Sequence, residues 1–131
     1  MKANGRLAVD TNAVIAYREG IYDVCKLIDE ADVIILPVTV LGELLYGALN
    51  SEKTEYNEQI IKKFAAYSLV MQIDEAVTTR YARVRFNLKN KGTPIPENDI
   101  WIAAACLELK VPLLSRDAHF KHVEGLDVCG W

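Results

Sequence analysis

The chain has 131 residues, 51% of them apolar, with a net charge of −3. Length and composition predict one folded domain over residues 1–131 and exclude a disordered chain. The acidic balance argues against a nucleic-acid coat protein, and no apolar run approaches the roughly 20 residues of a membrane span.

Leu7–Val9 reads as a strand that runs straight into Asp10. Thr11 or Asn12 can cap a helix through Arg18, ending at Gly20, and Asp23–Glu30 forms a second. A strand over Val33–Leu36 leads to a helix capped by Thr39 and running to Leu49, with Leu41, Leu44, Leu45, Ala48 and Leu49 on one face. Glu55–Tyr67 places Tyr56, Ile60 and Phe64 at helical spacing, as core or interface residues, and Ser68–Ile73 is the third strand. A helix over Glu75–Lys91 aligns Val77, Tyr81, Val84 and Leu88 and stops at Gly92. The prolines of GTPIPEN make a loop, and a helix follows from about Asn98 to Leu109. Val111–Leu114 and Leu126–Cys129 are the last strands. Strands without polar alternation are covered on both faces, so the order predicts an α/β domain whose mostly parallel sheet lies between helices.

Cys25, Cys106 and Cys129 lie far apart and form no CxxC pair, which leaves zinc and redox motifs unsupported and predicts reduced packing residues of a cytoplasmic protein. Asp10 and Asn12 interrupt the apolar stretch of Met1–Tyr17, which argues against a signal peptide.

Sites in such sheets form outside the carboxyl ends of the strands. Asp10 follows the first strand, and Asp117 follows VPLLS in the segment SRD. Glu43 lies in the first turns of the helix after the second strand, and Asp99 opens the helix before the fourth. Each acid has a plainer use. Glu43 suits a helix surface, Asp99 a first helical turn, and Asp117 a cap on AHF. Asp10 need not cap, because Thr11 and Asn12 can. Together they predict an acidic pocket that repels itself until a divalent cation binds, and oxygen donors select Mg²⁺ or Mn²⁺. Such an ion yields a nucleophilic hydroxide near neutral pH and stabilises phosphoryl charge, so the chemistry predicted is metal-assisted hydrolysis of a phosphodiester.

Thr11, Asn12 and Ser115 suit either support of those ligands or caps and turns. Arg80, Arg83, Asn87 and Lys91 share one helix face, which suits either a nucleic-acid backbone or an ordinary solvated surface. His119 and His122 receive no role.

The segments LAVDTNAVI, PVTVLGELLYG, PENDIWIAAACLEL and LLSRDAHF, in this order, resemble the PIN domain, and its VapC-like ribonuclease toxins of toxin–antitoxin pairs in particular. The resemblance implies a three-layer α/β sandwich and Mg²⁺- or Mn²⁺-dependent endoribonuclease activity that leaves a 5′-phosphate and a 3′-hydroxyl. It maps the family's acids onto Asp10, Glu43, Asp99 and Asp117, with Thr11, Asn12 and Ser115 as supporting polar residues. Asp10, Asp99 and Asp117 would hold the metal, and Glu43 would join them or hold the attacking water. It also implies an RNA substrate, a homodimer, and an antitoxin whose tail covers the active site in a groove built largely from the helices between Thr39 and Tyr67. The alternative is a catalytically silent PIN-like RNA-binding or scaffold module, which the presence of all four acids disfavours. A haloacid-dehalogenase-like phosphatase would need an acid where Asn12 stands. A response-regulator receiver would need a Lys after VPLLS, where Arg116 and Asp117 stand.

Overall fold

Among the described residues, five short apolar runs form the strands, and every pairing between them is parallel. The computed structural model describes residues 5–131; residues 1–4, which open the predicted domain and the Met1–Tyr17 stretch, lie outside the described residues. The strands are β1 (Arg6–Val9), β2 (Val33–Pro37), β3 (Leu69–Met71), β4 (Leu113–Leu114) and β5 (Val128–Cys129), in the order β3-β2-β1-β4-β5. Six helices connect them: α1 (Thr11–Arg18), α2 (Tyr22–Glu30), α3 (Val38–Leu49), α4 (Thr54–Ala66), α5 (Glu75–Lys91) and α6 (Glu97–Leu109). A 3₁₀ turn, Ala118–His122, links β4 to β5.

Chain order and sheet order together set the layers. From β1 to β2 to β3 the chain steps one way across the sheet, and from β3 to β4 it returns. Right-handed crossovers then put α1–α4 on one face and α5–α6 on the other. The packing agrees, with α1 against α2 and α3, α3 against α4, and α5 against α6. β1 lies at the centre, and Leu7, Ala8 and Val9 are buried.

Several predicted boundaries shift. Pro37, not Thr39, occupies the cap position of α3. The apolar run VPLL contributes only its last two residues to β4, because Val111 N–H bonds back to Cys106 as α6 closes through Lys110 at φ 56°. Leu126 closes a turn on Val123 instead of opening β5. On α4 the deeply buried residue is Ile61; Ile60 and Phe64 are half-buried, and Tyr56 is 60% exposed. Leu49 of α3, expected inside, is 62% exposed. The three cysteines are free, and burial pushes the Cys106 thiol up to about 12. No helix of the described residues is long and apolar enough to cross a membrane.

Candidate active site

Asp10 stands where β1 stops and α1 starts. Its backbone N–H donates to Leu114 O of β4 at 3.1 Å, the last step of the central ladder. Contrary to the sequence expectation, Asp10 itself caps α1: Oδ1 accepts from Thr11 N–H at 2.8 Å. Its other oxygen accepts from Ser115 Oγ at 2.7 Å. Both side chains are buried, at 5% and 2% exposure, so this is a charged hydrogen bond sealed from water. Ser115 Oγ also accepts from Asp117 N–H at 3.0 Å. One hydroxyl thus ties the first acid to the loop that carries the last.

The other acids arrive from three elements. Asp99 lies in the first turn of α6. Asp117 caps the 3₁₀ turn through His119 N–H at 2.9 Å. Phe120, fully buried in the next position, pins that turn to the core. His119 therefore faces back over the cap, with Nδ1 2.9 Å from Asp99 Oδ2 and 2.9 Å from Asp117 Oδ1. One ligand atom from each of these three residues falls within 4.8 Å of the others. Glu43, in the second turn of α3, is hydrogen-bonded by Asn98 of α6. Thr11 Oγ1 is buried without a hydrogen bond of normal geometry among the described residues, yet lies near enough to Glu43 to lower its carboxyl.

The charges report the crowding. Burial pushes the Asp10 carboxyl above the usual carboxylate range, against the lowering effect of Ser115 and Thr11, and the charge of Asp117 pushes it further. Burial is also the first cause at Asp99; His119 opposes the rise, and Asp117 and Asp10 add to it. Glu43 is exposed as a residue, but partial burial of its carboxyl and then Asp10 and Asp99 raise it. The hydrogen bond to Asp99 raises the His119 imidazole, with Asp117 adding and desolvation opposing. Ionised carboxylates can only accept, so Nδ1 carries the proton that lies between Asp99 and Asp117.

That point fits a divalent cation. The donors are hard carboxylate oxygens, their like charges raise one another, and the His119 N–H already stands between two of them.

All four predicted acids are electrostatically linked, Glu43 to Asp10 and Asp99, and Asp117 to the same two. His119, assigned no role from the sequence, joins them; the signal was its position two residues after a capping Asp. Asn98 was also missed. Thr11, Asn12 and Ser115 all touch the site or its loop, Asn12 Oδ1 accepting from Arg116 N–H at 3.3 Å. The basic face of α5 stands apart. Arg80 pairs with Glu108 at 3.1 Å, nine residues along α6 from Asp99, which is about 14 Å of helix. Lys91 donates to His122 O at 2.6 Å and lies 3.9 Å from Glu124. Arg80 and Arg83 line a separate cavity of about 500 Å³ with Asn87, Lys110 and Glu124.

A parallel sheet in this order, with acids gathered at its carboxyl edge, defines an α/β domain of the PIN type. The chain matches the PIN domain over residues 7–126 and belongs to that family. Its relatives include ribonuclease VapC5 of Mycobacterium tuberculosis, 27% identical over 122 residues, which are 89% of this chain and 87% of that protein. The tRNA(fMet)-specific endonuclease VapC of Shigella flexneri is 28% identical over 105 residues, 79% of each chain. Among solved structures, VapBC-1 from nontypeable Haemophilus influenzae superposes with a TM-score of 0.87 at 24% identity, over 96% of this chain and 98% of that one, a likeness of fold.

Proposed function

We propose that the chain is a metal-dependent endoribonuclease and the toxin of a toxin–antitoxin pair. The observation that carries this reading is the cluster itself: oxygens of Asp99 and Asp117 and the His119 nitrogen within 4.8 Å of one another, with buried Asp10 adding its charge. The names of the relatives support RNA as the substrate.

Asp10, Asp99 and Asp117 would hold Mg²⁺ or Mn²⁺. When bound, such an ion supplies charge stabilisation at the phosphoryl group and acidifies water. The chain's own residues do the rest. Ser115 and Thr11 fix both oxygens of Asp10. Asn98 orients Glu43, whose raised carboxyl is suited to take a proton from the attacking water. The water oxygen bonds to phosphorus, the P–O3′ bond breaks, and the 3′-oxygen leaves with a proton from solvent.

The partner is an antitoxin. An apolar cavity of about 520 Å³ between α1, α2 and α4, lined by Tyr17, Ile28, Ile60, Phe64 and Tyr67, supports docking of an apolar tail. Exposed Tyr46 and Leu49 of α3 support a second copy as a further partner.

The test is cleavage of an RNA pool that includes tRNA, in Mn²⁺ and in EDTA, by the parent and Asp10→Asn. The parent should cut in Mn²⁺ alone, and Asp10→Asn should lose at least a hundredfold in rate. Calorimetric titration of Mn²⁺ should show binding to the parent and none to an Asp10→Asn, Asp99→Asn double variant. Equal cleavage by Asp10→Asn overturns the assignment, and metal binding without cleavage returns the silent module.

A further inference from the structure

Arg116 sits between Ser115 and Asp117, yet its side chain pairs with no carboxylate among the described residues. That is unexpected. A flexible cation beside a cluster of carboxylates gains energy by folding onto them. Instead the guanidinium carbon lies 5.2 Å from the ring centre of Trp131. Two constraints keep it there. Arg116 N–H donates to Asn12 Oδ1, which fixes the backbone. Trp131 is carried to the same edge by β5, where Leu114 pairs with Cys129 and Ser115 N–H donates to Cys129 O at 3.0 Å. A cation over an aromatic ring is held by the ring face, and that contact uses few of the five N–H donors of a guanidinium.

The arrangement meets a need of the proposed reaction. RNA must bring phosphates to a pocket whose own charges repel them, and a fixed guanidinium at the rim offsets that repulsion. Its fork matches two phosphate oxygens, and Arg116 is exposed to receive them. We propose that Arg116 binds a backbone phosphate of the RNA strand beside the scissile bond. Trp131 is a positioning residue that keeps Arg116 off the metal-holding carboxylates. This rests on the ribonuclease reading above.

The experiment is steady-state cleavage of single-stranded RNA in Mn²⁺ across a KCl series, by the parent, Arg116→Ala, Arg116→Lys, Trp131→Ala and Trp131→Phe. Arg116→Ala should raise KM about tenfold, the loss of one charged hydrogen-bonded contact, with kcat within about threefold. The slope of log(kcat/KM) against log[KCl] should flatten by about 0.7, one phosphate on a single strand. Arg116→Lys should retain the slope but not the KM, since it keeps the charge and loses the fork. Trp131→Ala should share the KM defect and Trp131→Phe should restore most of it. Mn²⁺ affinity, measured by calorimetry, should stay within about threefold in every variant. A parent that cleaves RNA while Arg116→Ala keeps its KM and salt slope overturns the inference and leaves the ribonuclease reading intact. So does a change confined to Mn²⁺ affinity, which would make Arg116 a prop for Asp117. A parent that neither binds nor cleaves RNA overturns both.

Discussion

Replacing Ser115 with Ala tests the link between the buried acid and the loop. Ser115 Oγ donates to Asp10 Oδ2 at 2.7 Å and accepts from Asp117 N–H at 3.0 Å, and the residue is 2% exposed. Ser115→Ala removes a hydrogen bond to a charged group, about 1.5–3 kcal/mol, and leaves an amide without its partner, about 1 kcal/mol more. The expected loss of about 2.5–4 kcal/mol is large beside the 5–15 kcal/mol typical of a domain. Urea denaturation at pH 7 in EDTA should show it as a lower midpoint at constant slope. The pH dependence has a definite sign. The Asp10 carboxyl is already raised in the folded state, so the folded chain holds this proton more tightly than the unfolded chain does. Removing the donor raises it further. The deficit of Ser115→Ala should therefore be full near neutral pH and shrink as pH falls through the folded-state value. Because the same hydroxyl sets the geometry of Asp10 and Asp117, Mn²⁺ affinity should drop about 10–100-fold. A midpoint within about 0.5 kcal/mol of the parent, or a deficit independent of pH, refutes the reasoning.

Other variants test separate parts of the site. The Asp10→Asn, Asp99→Asn double variant relieves burial and repulsion, and in EDTA it should melt above the parent. Mn²⁺ at a hundred times its Kd should stabilise the parent by about 2.7 kcal/mol in a melting experiment and leave the double variant unmoved; an equal metal shift in both would exclude these ligands. The His119 imidazole is raised above its usual 6.5, chiefly by its hydrogen bond to Asp99. In EDTA its contribution should be complete below about pH 6.5 and disappear as pH rises through the higher folded value. His119→Gln should flatten that decline, and melts of parent and variant that stay parallel from pH 5 to 8.5 would contradict the contact. Phe120→Ala empties a fully buried site and should cost about 3–5 kcal/mol. Because Phe120 pins the turn, Mn²⁺ affinity should fall too, and a stable, tight-binding Phe120→Ala would show that the turn holds without it.

What was legible in the sequence follows from which forces act locally. The strand Leu7–Val9 ending in Asp10, the stop of α5 at Gly92 and the small apolar residues of α6 are local patterns, and they map onto elements with shifts of one or two residues. The strand order is not local. It is set by pairings between strands far apart in the chain, and it fixes how α1–α4 and α5–α6 divide between the faces. The convergence of the acids was legible because strand ends in a parallel sheet share an edge. The partners within the site were not. His119 reaches Asp99 only because Phe120 is buried beneath its turn, and Asn98 reaches Glu43 only because α3 and α6 both open at that edge. The basic stripe of α5 shows the converse limit. Helical spacing aligns Arg80, Arg83 and Lys91, but only the packing of α5 on α6 shows that Arg80 meets Glu108 at the far end.

Asp10 sharpens the point further, because it caps a helix and stands among the clustered acids at once. A carboxylate has two oxygens, and here Thr11 N–H takes one while Ser115 Oγ takes the other. The cap fixes the rotation of the carboxyl group, and the serine keeps it ionisable despite burial that raises it. Each oxygen retains a second lone pair, and those lone pairs have a direction because both hydrogen bonds are made. A surface cap would be free to turn, and an unpartnered buried Asp would take up a proton. Only the combination yields a carboxylate that is both charged and aimed. Asn in its place keeps the cap and loses the charge, so Asp10→Asn should leave the helical signal of α1 intact while abolishing Mn²⁺ binding. A substitution that unwound α1 as well would show that the charge, and not the shape, holds the helix end.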